Sequence, residues 1–145
     1  MAAPNVEPIF SRVADVQWAE SITGSSTTVD LLGGTNYLVF TADSTNGGFV
    51  RNARVKVNPA GGSTSATVVR FWVNNGSTVG TAANSALIGE LGLPATTGTN
   101  TAPLPDFDYG LNMALPPGYR IYITCGTAIG GSSAELTVTV FGGKY

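Results

Sequence analysis

A strict alternation of side-chain type constrains this chain more than any other feature. It is clearest in residues 119–124 (YRIYIT), which follow a Pro-Pro-Gly turn and place an apolar residue at every second position. A period of two in aromatic and β-branched residues predicts a β-strand with one buried face. The same alternation recurs in residues 49–58, 66–74, 107–115 and 134–141. Most of the chain is therefore predicted to be β-sheet.

Three further segments, 27–32, 36–42 and 86–91, are predicted to be strands from their β-branched and apolar content. Turn-forming residues recur between the strands, in the dense cluster at 43–48 and in the hairpin-type signal Asn74-Asn75-Gly76. The pattern predicts an all-β fold, a two-sheet sandwich or jelly roll of about eight antiparallel strands.

The alternation also assigns side chains to the core. The predicted core-facing residues are Ala53, Val55 and Val57, then Thr67, Val69, Phe71 and Val73, then Phe107, Tyr109 and Leu111, and finally Leu136, Val138 and Val140. Cys125, the single cysteine, ends the strand that begins at Tyr119 and is predicted to be a small core residue.

Residues 1–16 are predicted to form an extended N-terminal arm, and residues 17–145 a single β-sandwich domain. Proline favours extended backbone, and two prolines lie in the first half of the arm. Ile9 and Phe10 are the apolar anchor of the arm and are expected to plug into a neighbouring molecule. The segment 11–20 has a composition that also permits a turn of helix.

Charged residues make up 11% of the chain, and the net charge is −2. A typical soluble domain has about 25% charged residues. The absence of a basic run argues against nucleic acid as a partner, and no apolar run is long enough to span a membrane. A surface so poor in charge is unfavourable for a free monomer and acceptable when other subunits cover it. One cysteine and a start without a signal-peptide pattern indicate synthesis in a reducing cytosol.

The residues offer little for catalysis. The chain has no histidine, which removes Ser–His and Cys–His nucleophile systems and most zinc sites. Asp106 and Asp108 share one face of a predicted strand and could form a glycosidase pair or bind calcium, but a solvated strand edge is the favoured interpretation. Asp43, with Thr45 and Asn46, is expected to stabilise a turn rather than bind calcium. We expect no catalytic site, cofactor or metal.

The outward face of the predicted strands offers candidate binding residues. Trp72 and Tyr122 point away from the core by pattern, and each lies two positions from an arginine, Arg70 and Arg120 respectively. Exposed aromatic and arginine residues are typical anchors of protein interfaces. Two alternatives remain, stacking on sugar rings and coverage by a segment of the same chain.

Five segments resemble a known family. They are ARVKVNPAGG (53–62), VVRFWVNNGS (68–77), a leucine-bearing segment, LPPGYRIYITCGT (115–127) and ELTVTVFGGKY (135–145). Together they are similar to small β-sandwich proteins encoded among the head genes of tailed bacteriophages. The resemblance covers residues 53–145 and rests on strand and turn patterns.

The resemblance implies a capsid decoration (cement) protein. Such proteins are typically homotrimers that sit on the outer shell of the virion and clamp neighbouring subunits of the major capsid protein. The expected partners are therefore the major capsid protein and further copies of this chain, with synthesis in the host bacterial cytoplasm. The alternative function is a carbohydrate- or receptor-binding module of a phage fibre, which would use Trp72, Tyr109 or Tyr122 together with the polar loop 94–105.

Overall fold

The computed structural model of the chain describes residues 12–28, 31–59, 62–130 and 134–145. Its strands are β1 (Val13–Ile22), β2 (Tyr37–Thr41), β3 (Gly48–Asn58), β4 (Ser63–Thr64), β5 (Thr67–Asn74), β6 (Ser85–Leu93), β7 (Thr96–Thr97), β8 (Asp106–Leu115), β9 (Arg120–Cys125) and β10 (Glu135–Lys144). A short 3-10 turn, Ala82–Asn84, precedes β6. None of the described segments forms a helix with the length and apolar content that a membrane crossing needs.

The eight long strands form two four-stranded sheets. Sheet I has the order β1-β10-β3-β8, and sheet II has the order β2-β9-β5-β6. Every neighbouring pair is antiparallel. This strand order is the jelly-roll arrangement of two Greek keys, so the predicted fold class is confirmed. The short strands β4 and β7 pair with each other beside the sandwich.

The core lies between the two sheets, where the predicted inward faces meet. Its fully buried side chains come from both sheets, and they include Val55 of β3, Val138 of β10, Phe71 of β5 and Ile123 of β9. Burying one such side chain contributes about 1.5–3 kcal/mol, so this alternation is the main source of stability. Cys125 is buried as predicted, and desolvation raises the pKa of its thiol to about 12.

The two edges of the sandwich are closed in different ways. At one edge, the side chain of Gln17 on β1 forms the backbone hydrogen bonds that Thr41 on β2 would otherwise make with a neighbouring strand. Its Nε2 donates to Thr41 O at 2.8 Å and its Oε1 accepts from Thr41 N at 2.8 Å. At the other edge, Tyr109 of β8 stacks on Phe71 with ring centroids 4.6 Å apart. Gly89 of β6 makes room for that ring, because any Cβ at Gly89 would collide with the Tyr109 hydroxyl.

The turn at 43–48 forms as predicted. Asp43 Oδ1 accepts hydrogen bonds from Asn46 N at 2.8 Å and Thr45 N at 2.9 Å, and these bonds lower the pKa of Asp43. Gly47 completes the turn with φ at +76°, and a Cβ there would collide with Leu115 O. Among the described residues, no group of three or more acidic or cysteine side chains is placed to hold a metal ion.

Three local predictions are wrong. Residues 27–28 and 31–32 are not in a strand, because the Ser26 hydroxyl hydrogen-bonds Gly33 O at 2.9 Å and holds the segment as a loop. The segment 11–20 is not helical where it is described: β1 begins at Val13, so the last four residues of the predicted arm belong to sheet I. No tight hairpin follows β5, since residues 75–84 form a longer loop before β6.

Candidate binding surfaces

Trp72 lies on the outer face of sheet II, as the alternation predicted, and side chains of the same chain cover it, which was one of the alternatives left open. It pairs with Tyr122 of β9 on one side and with Leu87 of β6 on the other, and only 4% of Trp72 is accessible. Its Nε1 donates to the buried Thr124 Oγ1 at 3.1 Å. Packing within the chain therefore explains this tryptophan, and it offers no exposed anchor.

Arg70 is also held by its own chain. Its Nε donates to Glu90 Oε1 at 2.9 Å, across the β5–β6 pair, and its Nη1 donates to Ser26 O at 3.5 Å. The loop that contains Ser26 thus lies against this end of sheet II. Arg70 connects that loop to sheet II, because its Nε and its Nη1 both donate hydrogen bonds within the chain.

Tyr122 and Arg120 lie on the outer face of sheet II, and both are half-buried. Tyr122 is flanked by Trp72 and by Leu38 of β2, so three apolar side chains adjoin across three strands. A role for Tyr122 and Arg120 in an interface stays a prediction. Ile9 and Phe10 lie outside the described residues.

Asp106 and Asp108 share the exposed face of β8, an edge strand of sheet I, as predicted. Arg54 of β3 binds Asp108 in a bidentate pair, with Nε–Oδ1 and Nη2–Oδ2 distances of 3.0 Å. The Arg54 Nε also lies 3.7 Å from Asp106 Oδ2. The hydrogen bond from Arg54 lowers the pKa of Asp108. A general acid at neutral pH needs a raised pKa, so this geometry favours the strand-edge interpretation.

Tyr109, predicted to lie in register with Phe107 and Leu111, does so, and its ring faces the core. Its stacking on Phe71 removes it as a platform for a sugar ring on the surface. The loop 94–105 contains β7, which pairs with β4, and it is otherwise irregular. A binding role for this loop stays a prediction.

The two most exposed large apolar side chains of the described residues lie on β1, where sequence reasoning did not look. Trp18 is 61% exposed and Val16 45%, and we call these two residues the β1 patch; Val13, at the start of the strand, is 60% exposed. Val16 and Trp18 project from the outer face of sheet I, whereas Val13 begins the strand. The alternation of Val16 and Trp18 with polar or small residues was a usable signal, but the helical interpretation of 11–20 obscured it.

Two rows of side chains connect the β1 patch to the far edge of sheet I. In one row, Trp18 pairs with Thr139, then with Arg54 and Asp108. The second row contains Val16, Phe141, Asn52 and Gly110. The Arg54 guanidinium lies over the Phe141 ring, 5.9 Å from its centroid.

A shallow depression of about 550 Å³ opens in this face, beside the β1 patch. Its lining comprises five charged or amide side chains, one glycine and one aromatic ring: Arg51, Asn52, Arg54, Asp108, Asn112, Gly110 and Phe141. A second, smaller depression of about 350 Å³ lies on sheet II beside Arg70. Sheet I therefore combines exposed apolar groups and a polar concavity on one face.

No protein-family model and no curated protein matches this chain. Among solved structures, a chain in the structure of infectious bursal disease virus, Gx strain, is similar over 97% of this chain and 36% of that chain. The identity is 14% and the TM-score is 0.35. The chain thus spans about a third of the length of that viral chain. A similarity at this level carries no functional argument, and the phage-family resemblance stays a prediction.

Proposed function

We propose that this chain is a structural protein of a virus particle, which binds the outer surface of a phage capsid and stabilises it as a decoration protein. The observation that carries the proposal is the β1 patch, an apolar surface on an edge strand of a jelly roll. Jelly rolls occur in viral capsid proteins and also in lectins and cupins, so the fold permits this role without establishing it.

The β1 patch has the composition of an interface anchor. Trp18 projects from a sheet face whose neighbouring residue on β10, Thr139, is too small to cover it. Tryptophan is among the residues most enriched at interface positions that dominate binding energy. The charged groups nearest to it in its cross-strand row, Arg54 and Asp108, lie beyond Thr139 and are already paired with each other.

The proposed mechanism is additive. Each copy contributes a modest contact through its β1 patch, and three copies joined in a trimer multiply the affinity through avidity. A stable interface buries about 1,600 Å² in total, far more than the β1 patch alone offers. Residues 1–11, with Ile9 and Phe10, are proposed to supply further contact area on the neighbouring subunit.

The direct test is cosedimentation of the chain with undecorated capsids of the virus that encodes it. We expect saturable binding, and Trp18→Ala should weaken it by about 2 kcal/mol per site, or roughly thirtyfold in dissociation constant. Leu38→Ala is the matched control, since Leu38 is an exposed apolar residue on the opposite sheet and is not a strand neighbour of Trp72. Failure of the unmodified chain to sediment with capsids would end the proposal.

The oligomeric state is a separate question. Native mass spectrometry of the purified chain should give three times the monomer mass of 14.8 kDa. A monomer that nevertheless binds capsids would leave the decoration role in place and remove the avidity mechanism.

The alternative function is a carbohydrate- or receptor-binding module of a phage fibre. Two of the residues assigned to it are not accessible for binding. Trp72 is buried and Tyr109 faces the core. The decoration role is therefore the function that the described surface supports best.

A further inference from the structure

The depression on sheet I is built around an irregularity of β3 at Arg51. Against β10, Val50 pairs with Gly142 and Asn52 with Phe141, so Arg51 is an extra residue without a partner in the ladder. The β3–β8 register also shifts between Val50 and Asn52. β-Bulges turn a side chain out of the regular alternation and are over-represented beside functional sites. Here the bulge directs Arg51 into the lining of the depression.

The facing strand is irregular at the same level. Asn112 of β8 has φ at +44°, a conformation that asparagine tolerates better than other side chains do. Asn112 is exposed and lines the depression. Gly110, two residues earlier, keeps the space open, because a Cβ there would lie 3.4 Å from Asn112 Nδ2. Two backbone irregularities and a glycine thus shape one concavity.

The polar groups of the lining are partly satisfied and partly free. Asp108 is held by Arg54 and by Asn52 Nδ2 at 3.3 Å. In the part of the chain that the structure describes, no hydrogen bond or ion pair engages the Arg51 side chain. The lining carries two guanidinium groups and one carboxylate. Arg54 lies near both Asp108 and Asp106, whereas no carboxylate of the described residues pairs with Arg51.

A ligand of the depression must complement both its unpaired guanidinium and its carboxylate. The Arg51 guanidinium and the Asn112 side-chain amide donate hydrogen bonds and therefore suit an anionic acceptor. The Asp108 carboxylate accepts hydrogen bonds and therefore suits hydroxyl donors. The edge of the Phe141 ring offers an apolar contact for a C–H surface. An acidic peptide can also pair with Arg51, but it offers no rigid C–H face for the Phe141 ring. A sugar ring bearing a carboxylate supplies all three complements, and the volume is in the usual range of ligand pockets.

We propose that the depression between Arg51, Asn112 and Phe141 binds an acidic saccharide, with Arg51 pairing with the sugar carboxylate. The proposal does not depend on the decoration role. A chain that ignores capsids can still bind the saccharide, and a capsid-bound chain would present the depression only if the contact leaves this face open.

The test follows amide shifts in NMR spectra while tetragalacturonate is added to the full chain. We expect saturable shifts confined to residues around the depression. The carboxyl-reduced, neutral tetrasaccharide should bind at least about tenfold more weakly, as should tetraglutamate. Equal binding of the neutral sugar, equal binding of the peptide, or no shifts at millimolar tetragalacturonate would each overturn the proposal.

Substitution at Gly110 tests the location. Gly110→Thr places a β-favouring side chain on the exposed face of β8 and fills the concavity, so tetragalacturonate affinity should fall by about tenfold or more. Gly92→Thr is the matched control, because Gly92 is an exposed strand glycine on β6 with no atom near its missing Cβ. Unchanged affinity in Gly110→Thr would place the binding site elsewhere.

Two milder variants separate binding from folding. Arg51→Gln should weaken binding about tenfold and abolish the preference over the neutral sugar. Asn112→Gly suits the positive φ, so the variant should be at least as stable as the original chain while binding more weakly. Retained affinity in both variants would contradict the assigned roles.

Discussion

The two tryptophans of the chain both lie on the outer face of a sheet and have opposite environments. Both project from an outer face, Trp18 from sheet I and Trp72 from sheet II. Trp72 is 4% exposed and Trp18 is 61% exposed. The difference follows from the position of each strand. β5 is an inner strand with large neighbours on both sides of Trp72, whereas β1 is an edge strand with a single neighbour.

The comparison shows that "outward" and "exposed" are different properties in a β-sandwich. Tyr122 and Leu87 flank Trp72 and exclude water from it, and Thr124 satisfies its indole nitrogen. Trp18 has Thr139 beside it, and no described residue forms a hydrogen bond with its indole nitrogen. One tryptophan therefore serves stability, and the other is available for binding.

The largest expected effect comes from removing each tryptophan in turn. Trp72→Ala should lower the free energy of unfolding by about 3–5 kcal/mol, because it leaves a cavity and an unpaired Thr124 hydroxyl. Trp18→Ala should change it by less than about 0.5 kcal/mol, as expected for an exposed residue. Chemical denaturation measures both values.

Acrylamide quenching provides the optical control for this pair of variants. Fluorescence of Trp72, observed alone in Trp18→Phe, should resist quenching, while that of Trp18 in Trp72→Phe should be quenched readily. Comparable quenching of the two would contradict the assigned environments.

An intermediate effect is expected at Thr124. Thr124→Val retains the shape of the side chain but leaves the buried Trp72 Nε1 without an acceptor, so the free energy of unfolding should fall by about 1–3 kcal/mol. Thr124→Ser, which keeps the hydroxyl, should lose less. A loss in Thr124→Val no greater than that in Thr124→Ser would show that the hydrogen bond is unimportant.

The smallest effect concerns the exposed ion pair of sheet I. The Arg54 hydrogen bond lowers the pKa of Asp108 in the folded chain, so the stability it contributes is present above the unfolded pKa and is lost as pH falls through the folded value. Arg54→Gln should return the pKa of Asp108 toward its ordinary value. An NMR titration of the carboxyl groups measures the change.

Asp43 is the internal control for that titration. Backbone amides of Asn46 and Thr45 lower its pKa, and Arg54 has no part in this. Its titration should therefore be unchanged in Arg54→Gln. An Asp108 pKa that also stays unchanged would show that the bidentate pair does not persist in solution.

Much of the fold was predictable because strand alternation is a local property. The inward faces of β3 and β10, the turn at Asp43 and the burial of Cys125 all follow from residues close together in sequence. The candidate surfaces were predicted poorly. The residues that cover Trp72 come from β6 and β9, and those distant pairings do not appear in the local pattern.

The sequence by itself determined that the chain is an all-β sandwich, which side chains point inward, and that its surface carries few charges. Only the tertiary structure decided which outward-facing residues are covered and that Arg51, Gly110 and Asn112 shape one depression. The physical reason is the range of the interactions. The pleat of a strand fixes side-chain direction residue by residue, whereas burial and concavity depend on which strands become neighbours.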